Sequence, residues 1–520
     1  MKKKSNISKG IIALLISQIL IKIIGLAYKL YLTNKEGFGD NGNAIYSSGF
    51  QIYALLLTLS STGVPNALSK LVSEKLAIGD VKGAHKIFKI SFIIFAFIGM
   101  CGCILLFIGA DFIATVLIQI PEAKYSLMAL APSIFFVSIT SVIRGYFNGR
   151  ENLSITAKSQ TTEQILKTVF TIVLVEFISK IISNNVVIMA AVANLATTLA
   201  TIFGFIHIYG YYLLNRREIG KEIKQSVNSN VIRIRKSLKQ ILNVAIPISL
   251  SSLISSFNKN IDSFTIVRFL KNIIGEESAK IQYGILSGKI DILTMLPLSL
   301  NVPFVTALVP EISKANTTNK NEVIKKAKMF ILISIMIGMP TTLGMFVYAE
   351  PILSLLFPNA REGTLLLKVS SFSIIFSLIA QTINGILQGI GKEKVPMISF
   401  GIGMIFKFLS NVILIKLIGI YGAIVGSILC NIVVCIIGYN ELKKSINLKL
   451  DFKDFILKPL AITLIMIIIS FYIYNSLKSI IWNKVATILS ILVAIVIYIL
   501  GLFVLKMIPN NIFFIKKIKN

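Results

Sequence analysis

Carboxylates are scarce in this sequence: 23 Asp and Glu stand among 520 residues, against 53 Lys and Arg. Histidine is scarcer still, with only His85 and His207, and there are four cysteines. So few ligand-type side chains form no cluster with metal-ligand spacing, so no metal and no cofactor is expected. Cys101, Cys103, Cys430 and Cys435 all fall inside apolar runs, which excludes a disulfide framework. Hydrophobic residues make up 55% of the chain and the mean hydropathy is +0.80, values that no soluble domain shows.

What the chain does have is a succession of apolar stretches of about 20 residues, each enough to cross a bilayer as a helix. They run from "IIALLISQILIKIIGLAYKLYL" near the start to "VATILSILVAIVIYILGLFVL" near the end. Within lipid every backbone polar group needs a partner in its own segment, so such runs are helices. Fourteen spans are predicted, near 10–33, 44–66, 90–110, 126–147, 160–179, 186–213, 240–267, 282–308, 327–349, 365–388, 396–415, 421–440, 459–475 and 485–505. The opening "MKKKSNISKGIIALLISQ" looks like a secretion signal, but its apolar run is too long and no small-residue cleavage site follows. It is expected to be an uncleaved first span.

The net charge of +30 suggests nucleic acid at first sight, and its distribution argues against that. With both termini cytoplasmic, the inner segments hold about three Lys or Arg for each one on the outer loops, the pattern of a multi-pass protein of the cell membrane. The basic segment "RREIGKEIKQSVNSNVIRIRKSLK" (216–239) is expected to be a solvated linker that also attracts anionic headgroups. The outer loops are too short to house a catalytic domain, so a glycan polymerase or ligase is disfavoured and no enzyme is expected.

An internal repeat organises the chain. "IRGYFNGRENLSITAKSQTTEQILKTVF" (143–170) returns 240 residues later in "INGILQGIGKEKVPMISFGIGMIFKFLSNVILI" (383–415). Gly145 lies over Gly385, Gly149 over Gly389 and Lys167 over Lys407, and Ser133, Ile134 and Phe136 lie over Ser373, Ile374 and Phe376. "ALSKLVSE" (67–74) over "ALVPEISK" (307–314) keeps the same offset. An even number of spans per unit gives copies in the same orientation. The expected fold is an all-α polytopic membrane protein of 14 transmembrane helices, two parallel six-helix repeats plus two C-terminal helices. Its parts are an N-terminal bundle (1–215), the basic linker (216–239), a C-terminal bundle (240–445) and the extra helices with a basic tail (446–520). "GYFNG" is expected to end the fourth span. Arg144 and Arg150 then serve the inside rule, and Glu163 and Lys167 form an i, i+4 pair on the next helix.

Six lysines remain within spans. Lys29, Lys167 and Lys407 lie near span ends, where they are expected to snorkel. Lys22, Lys259 and Lys289 lie deeper, where a lysine costs about 2.5–3.5 kcal/mol. Gln18, Lys22, Gly25 and Lys29 form one helical stripe. Gln51, Thr58 and Thr62 form another, Ser251, Ser255, Asn258, Lys259 and Asp262 a third, and Lys289, Asp291 and Asn301 a fourth. Because these lie on the leading pairs of the two repeats, a shared wet cavity is expected. Its cations outnumber Asp262, Asp291, Glu163 and Glu176, so its sign suits an anion, a phosphate group above all.

"KIIGLAYKLYLTN", "GNAIYSSGFQIYALLLTLSSTGVPNALSKLVSEK", "RGYFNGRENLSITAKSQTTEQILK" and "LPLSLNVPFVTALVPEIS" resemble a group of polysaccharide exporters, the stage V sporulation protein B group with the lipid II flippases of Gram-positive bacteria. It belongs to the multidrug/oligosaccharidyl-lipid/polysaccharide (MOP) superfamily. The resemblance covers nearly the whole chain and implies a transporter that flips a polyprenyl-diphosphate-linked saccharide from inner to outer leaflet. It implies cargo contacts at Lys22, Lys29 and Lys289, with lysine at Lys29 where the group has an arginine one residue earlier, and Asp40 nearest to its acidic residue by span 2. The candidate binding set is Lys22, Lys29, Gln51, Lys259, Asp262 and Lys289, with no catalytic or metal residue. The expected partners are the lipid-linked oligosaccharide diphosphate and membrane lipids, with a coupling cation left open and a monomer as the working state. A cation-coupled multidrug exporter of the same superfamily is the alternative, and it would line its cavity with carboxylates rather than lysines.

Overall fold

The computed structural model describes residues 17, 20–58, 64–182, 184–226, 253, 257–258, 260–357, 361–505 and 507. Among these every regular element is helical. The first is helix α1 (20–34), followed by α2 (Gly39–Thr58), α3 (Val64–Ala77), α4 (Val81–Phe112), α5 (Ala123–Gly149), α6 (Leu153–Ile181) and α7 (Val186–Gln225). Then come α8 (260–274), α9 (Glu276–Ile285), α10 (Asp291–Thr318), α11 (Lys320–Val347), α12 (Ala349–Leu356), α13 (Thr364–Gly389), α14 (Lys394–Ile418), α15 (Tyr421–Ile446), α16 (Lys458–Lys478) and α17 (Asn483–Val504).

Nine helices among the described residues are long and apolar enough to cross a membrane: α4, α5, α7, α11, and α13 to α17. α2 and α6, at 20 and 29 residues, are long enough but too rich in polar or charged groups to join them. "GYFNG" ends α5 at Gly149, as expected. α7 reaches much further than its predicted span, running 40 residues, about 60 Å at 1.5 Å per residue. Its last turns stay attached because Ile219 is buried in the core formed with Phe88 and Tyr146.

The chain divides into two compact units, Met1–Gly288 and Lys289–Asn520. In the first, Leu68, Val72, Ile143, Tyr146 and Phe147 form the core where α3 crosses α5. In the second, Leu308, Ile312, Ile383, Ile386 and Leu387 do the same where α10 crosses α13. Each member of one set lies 240 residues from its counterpart. The glycines explain the crossing. A Cβ added at Gly145 would lie 2.9 Å from Pro65 Cα, and one at Gly385 2.8 Å from Val305 Cγ1. At Gly149 it would lie 2.7 Å from Val72 Cβ, and at Gly389 2.7 Å from Ile312 Cβ. Small residues let helix backbones approach where lipid supplies no hydrophobic drive. The repeat read from letters is a repeat of packing.

α8 and α9 pack within the first unit. Ser263 and Tyr283 share a 2.9 Å hydrogen bond, and Lys280 donates to Glu122 at 2.8 and 3.1 Å. The Lys280 ammonium also holds the Glu276 carboxyl below the usual range. Gly284 presses against the Asp40 carbonyl, which leaves no room for a side chain there. In the second unit α16 and α17 pack on each other, with Gly501 against Ile462, and Tyr498 donates to the Met336 carbonyl of α11 at 2.9 Å.

Candidate functional site

The two helices too polar to count as simple spans, α2 and α6, build a polar part of the first unit's interior. α1 is fastened along α6 at both ends. Ser17 Oγ donates to the Ala157 carbonyl at 3.0 Å and lies 2.6 Å from Thr161 Oγ1. About four turns further along α6, Glu176 accepts from Tyr31 at 2.6 Å and from Lys35 at 2.7 Å. Glu176, read from sequence as an acid of the cavity, is thus a clamp between α1 and α6.

Between these fastenings lies a ladder of lysines and aromatic rings. Lys29 Nζ stands 4.2 Å over the ring of Tyr46. Tyr46 stacks on Phe50, one turn along α2, with centroids 5.7 Å apart and planes at 10°. Lys167 Nζ stands 4.2 Å over Phe50 and 5.0 Å over Tyr28. The Tyr28 and Tyr46 hydroxyls are 3.3 Å apart, and Asn194 of α7 donates to the Tyr46 carbonyl at 3.3 Å. Ring faces carry negative potential, and each such contact is worth about 0.5–2 kcal/mol depending on desolvation.

Behind the ladder is a cavity of about 270 Å³, walled by Ile21 of α1, Tyr53 of α2, Val137 and Arg144 of α5, Gln160, Glu163 and Lys167 of α6, and Thr197 of α7. Arg144 donates to Glu163 Oε2 at 2.8 Å and to Ser159 Oγ at 2.9 Å. Arg144 is 8% and Lys167 7% exposed. These positions correct three expectations. Arg144 is not a free topological charge at the inner rim, because Glu163 and Ser159 hold it inside the bundle. Glu163 does not pair with Lys167, because the guanidinium of the neighbouring helix takes it. Lys167 does not snorkel, and Lys407, at 1% exposure in the second unit, does not either.

Among the candidate residues, Lys22 is exposed on α1, two turns before Lys29, and Lys29 is half-buried against Tyr46. Gln51 is half-buried on α2. Asp262 is half-buried on α8. Lys289 is 3% exposed in a π turn, Leu286–Ile290, with Nζ 5.8 Å from the Phe357 ring in the second unit. Lys259 lies outside the described residues, as do Gln18, Thr62, Ser251 and Ser255. Among the described residues no group of His, Cys, Asp or Glu is placed to hold a metal ion.

The residues that sequence reasoning undervalued, Arg144 and Lys167, had a signal of their own. Gln160, Glu163, Gln164 and Lys167 fall three and four apart, one polar face along a membrane helix. That spacing marks an interior wall, whereas a snorkelling lysine stands alone at a helix end.

Residues 7–316 match the family described as "Polysaccharide biosynthesis protein", and residues 283–413 the family described as "MatE". Lipid II flippase MurJ of Bacillus subtilis (strain 168) is 25% identical over 458 residues, 85% of this chain and 83% of that protein. Stage V sporulation protein B of the same organism is 22% identical over 483 residues, 91% and 90% of the two chains. A solved structure of lipid II flippase MurJ in an inward closed conformation superposes with a TM-score of 0.72, covering 94% of this chain and 98% of that one at 17% identity. At that identity the likeness speaks to the fold.

Proposed function

Because the chain belongs to the polysaccharide biosynthesis protein family, through a match over residues 7–316, we propose that it is a flippase for a polyprenyl-diphosphate-linked saccharide. The cargo is lipid II or a related cell-wall or spore-cortex precursor, moved from the inner to the outer leaflet by alternating access. The protein performs no covalent chemistry. It works as a monomer in the cell membrane, with 14 spans and both termini cytoplasmic. Lys22 and Lys29, with Gln51, Lys259, Asp262 and Lys289, contact the diphosphate and the first sugar.

The observation that carries the reading is the electrostatic sign of the first unit's interior. Arg144, Lys167 and Lys29 line or adjoin one polar region, where Glu163 is the only acid among the cavity-lining residues and is already paired. A cationic wall disfavours cationic drugs and favours an anionic headgroup. The match to the MatE family over residues 283–413 keeps a multidrug exporter as the second reading. Such a protein needs carboxylates that exchange with cations, and this interior is built from lysine and arginine.

A diphosphate moving outward carries about two negative charges down an inside-negative potential. At about 2.3 kcal/mol per charge per 100 mV, this amounts to roughly 4–5 kcal/mol, enough to bias flipping without a stoichiometric ion. Complementation of a bacterium depleted of its own lipid II flippase tests the proposal. Growth restored by the chain supports it, and failure at wild-type membrane abundance counts against lipid II as cargo.

A further inference from the structure

The cavity behind the lysine–aromatic ladder has an uncompensated charge. Arg144 and Lys167 bring two positive charges to its wall and Glu163 one negative charge, with no other ionisable carboxylate among the lining residues. Glu163 cannot serve both cations. Its Oε2 is held 2.8 Å from the Arg144 guanidinium, and the Lys167 ammonium rests over the rings of Phe50 and Tyr28. The guanidinium is itself incompletely satisfied, since Arg144 Nε is buried without an acceptor. A donor left without a partner inside a protein costs about 1–3 kcal/mol, more when charged. A lysine more than nine-tenths buried therefore faces a space with one positive charge in excess.

We propose that this cavity is a binding site for a small monovalent anion, chloride or a carboxylate-sized group. The chemistry of the wall fits an anion better than a cation. Besides the two charged donors, Gln164 and Thr197 bring neutral polar groups to the wall, and Ile21 and Val137 line the rest. At about 270 Å³ the cavity takes a small anion with several waters, given that a water's share of liquid volume is about 30 Å³. A single negative charge brings the site to neutrality. The anion is thus a ligand of the first unit, an inference that rests on the same positive wall as the proposed function, while thermal unfolding reads it without any cargo. The anion can come from solution or from an anionic lipid headgroup, and the test separates the two.

The test is thermal unfolding of the purified full-length protein in a neutral detergent, at constant ionic strength, with gluconate replaced by chloride or acetate. A parallel arm keeps gluconate and adds phosphatidylglycerol to the micelles. Wild type is expected to show a saturable rise in melting temperature with chloride or acetate. Lys167→Met is expected to lose that rise, and Lys167→Arg to keep it. Glu163→Gln removes the competing negative charge and is expected to shift the midpoint to about fivefold or more lower anion concentration. If only phosphatidylglycerol raises the melting temperature, and Lys167→Met abolishes the effect, the site stands and the lipid is its source. The proposal is overturned if none of the three anions shifts wild type, or if Lys167→Met responds as wild type does. It is also overturned if Na⁺ in place of K⁺ produces a shift that Glu163→Gln removes, since that marks a cation site. Should Lys167→Met fail to fold, Lys167→Arg and Glu163→Gln still decide between these outcomes.

Discussion

Replacing Gly149 and Gly389 in turn by alanine and then valine tests the duplicated architecture at its tightest points. A Cβ on Gly149 would sit 2.7 Å from Val72 Cβ and 2.8 Å from the Ser69 carbonyl oxygen; on Gly389 it would sit 2.7 Å from Ile312 Cβ and 3.1 Å from the Val309 carbonyl oxygen. Carbon atoms are comfortable at about 3.5–4.0 Å, so the two Cβ–Cβ contacts fall short by about 1 Å. Overpacking of this kind costs about 1–3 kcal/mol, offset by about 1 kcal/mol because alanine favours a helix over glycine. Alanine should therefore destabilise each unit by up to about 2 kcal/mol. Valine, with two more methyl groups against a neighbouring backbone, should cost more than about 3 kcal/mol. The controls are Gly210→Ala in α7 and Gly344→Ala in α11, where an added Cβ meets nothing within 4 Å and stability should hold or rise. Unfolding in detergent micelles, followed by far-UV circular dichroism, measures all of these. If Gly149→Val and Gly389→Val unfold like the controls, the crossing of α3 on α5 and of α10 on α13 is not as close as described.

Three further outcomes follow from the charged groups. At matched expression Lys22→Ala should abolish complementation, Lys29→Ala should lower it only partly, and Lys22→Arg should retain it; full activity of Lys22→Ala would make that lysine a bystander. Glu163→Ala strands a buried guanidinium, and breaking such a pair costs about 3–5 kcal/mol. The Glu163 side chain is 25% exposed, so the loss should fall at the low end, and Glu163→Gln should recover part of it in the same unfolding assay. Collapse of the membrane potential with a K⁺ ionophore should slow flipping in cells, and an unchanged rate would remove the potential as a driving force.

Much of the fold was written in the sequence because lipid leaves the backbone few choices. Apolar runs of the right length had to be helices, and the end of α5 at Gly149 followed from "GYFNG". The 240-residue offset was legible for a physical reason. At Gly145, Gly149, Gly385 and Gly389 an added Cβ would lie less than 3 Å from a neighbouring helix, so a larger residue at any of them is strained. The interior of α6 was harder to read. One-dimensional sequence shows that Glu163 and Lys167 are four apart, but not that Arg144 of α5 approaches Glu163 from the side. Nor does it show that the rings of Phe50 and Tyr28 supply a resting place for a lysine that would otherwise seek the interface. Partner choice among buried charges is decided by how separate helices pack against one another. For the same reason Glu176 looked like a cavity acid and is a clamp for Tyr31 and Lys35.

The central claim, that this protein moves an anionic lipid-linked saccharide, is tested most directly in proteoliposomes of the purified chain. A fluorescent polyprenyl-diphosphate disaccharide placed in one leaflet is followed by its loss of accessibility to a membrane-impermeant quencher, beside a cationic dye exporter assay on the same vesicles. The account predicts rapid flipping of the diphosphate lipid, lost in Lys22→Ala, with no transport of the dye. Dye transport driven by a Na⁺ or proton gradient, with the diphosphate lipid left in place, would contradict it.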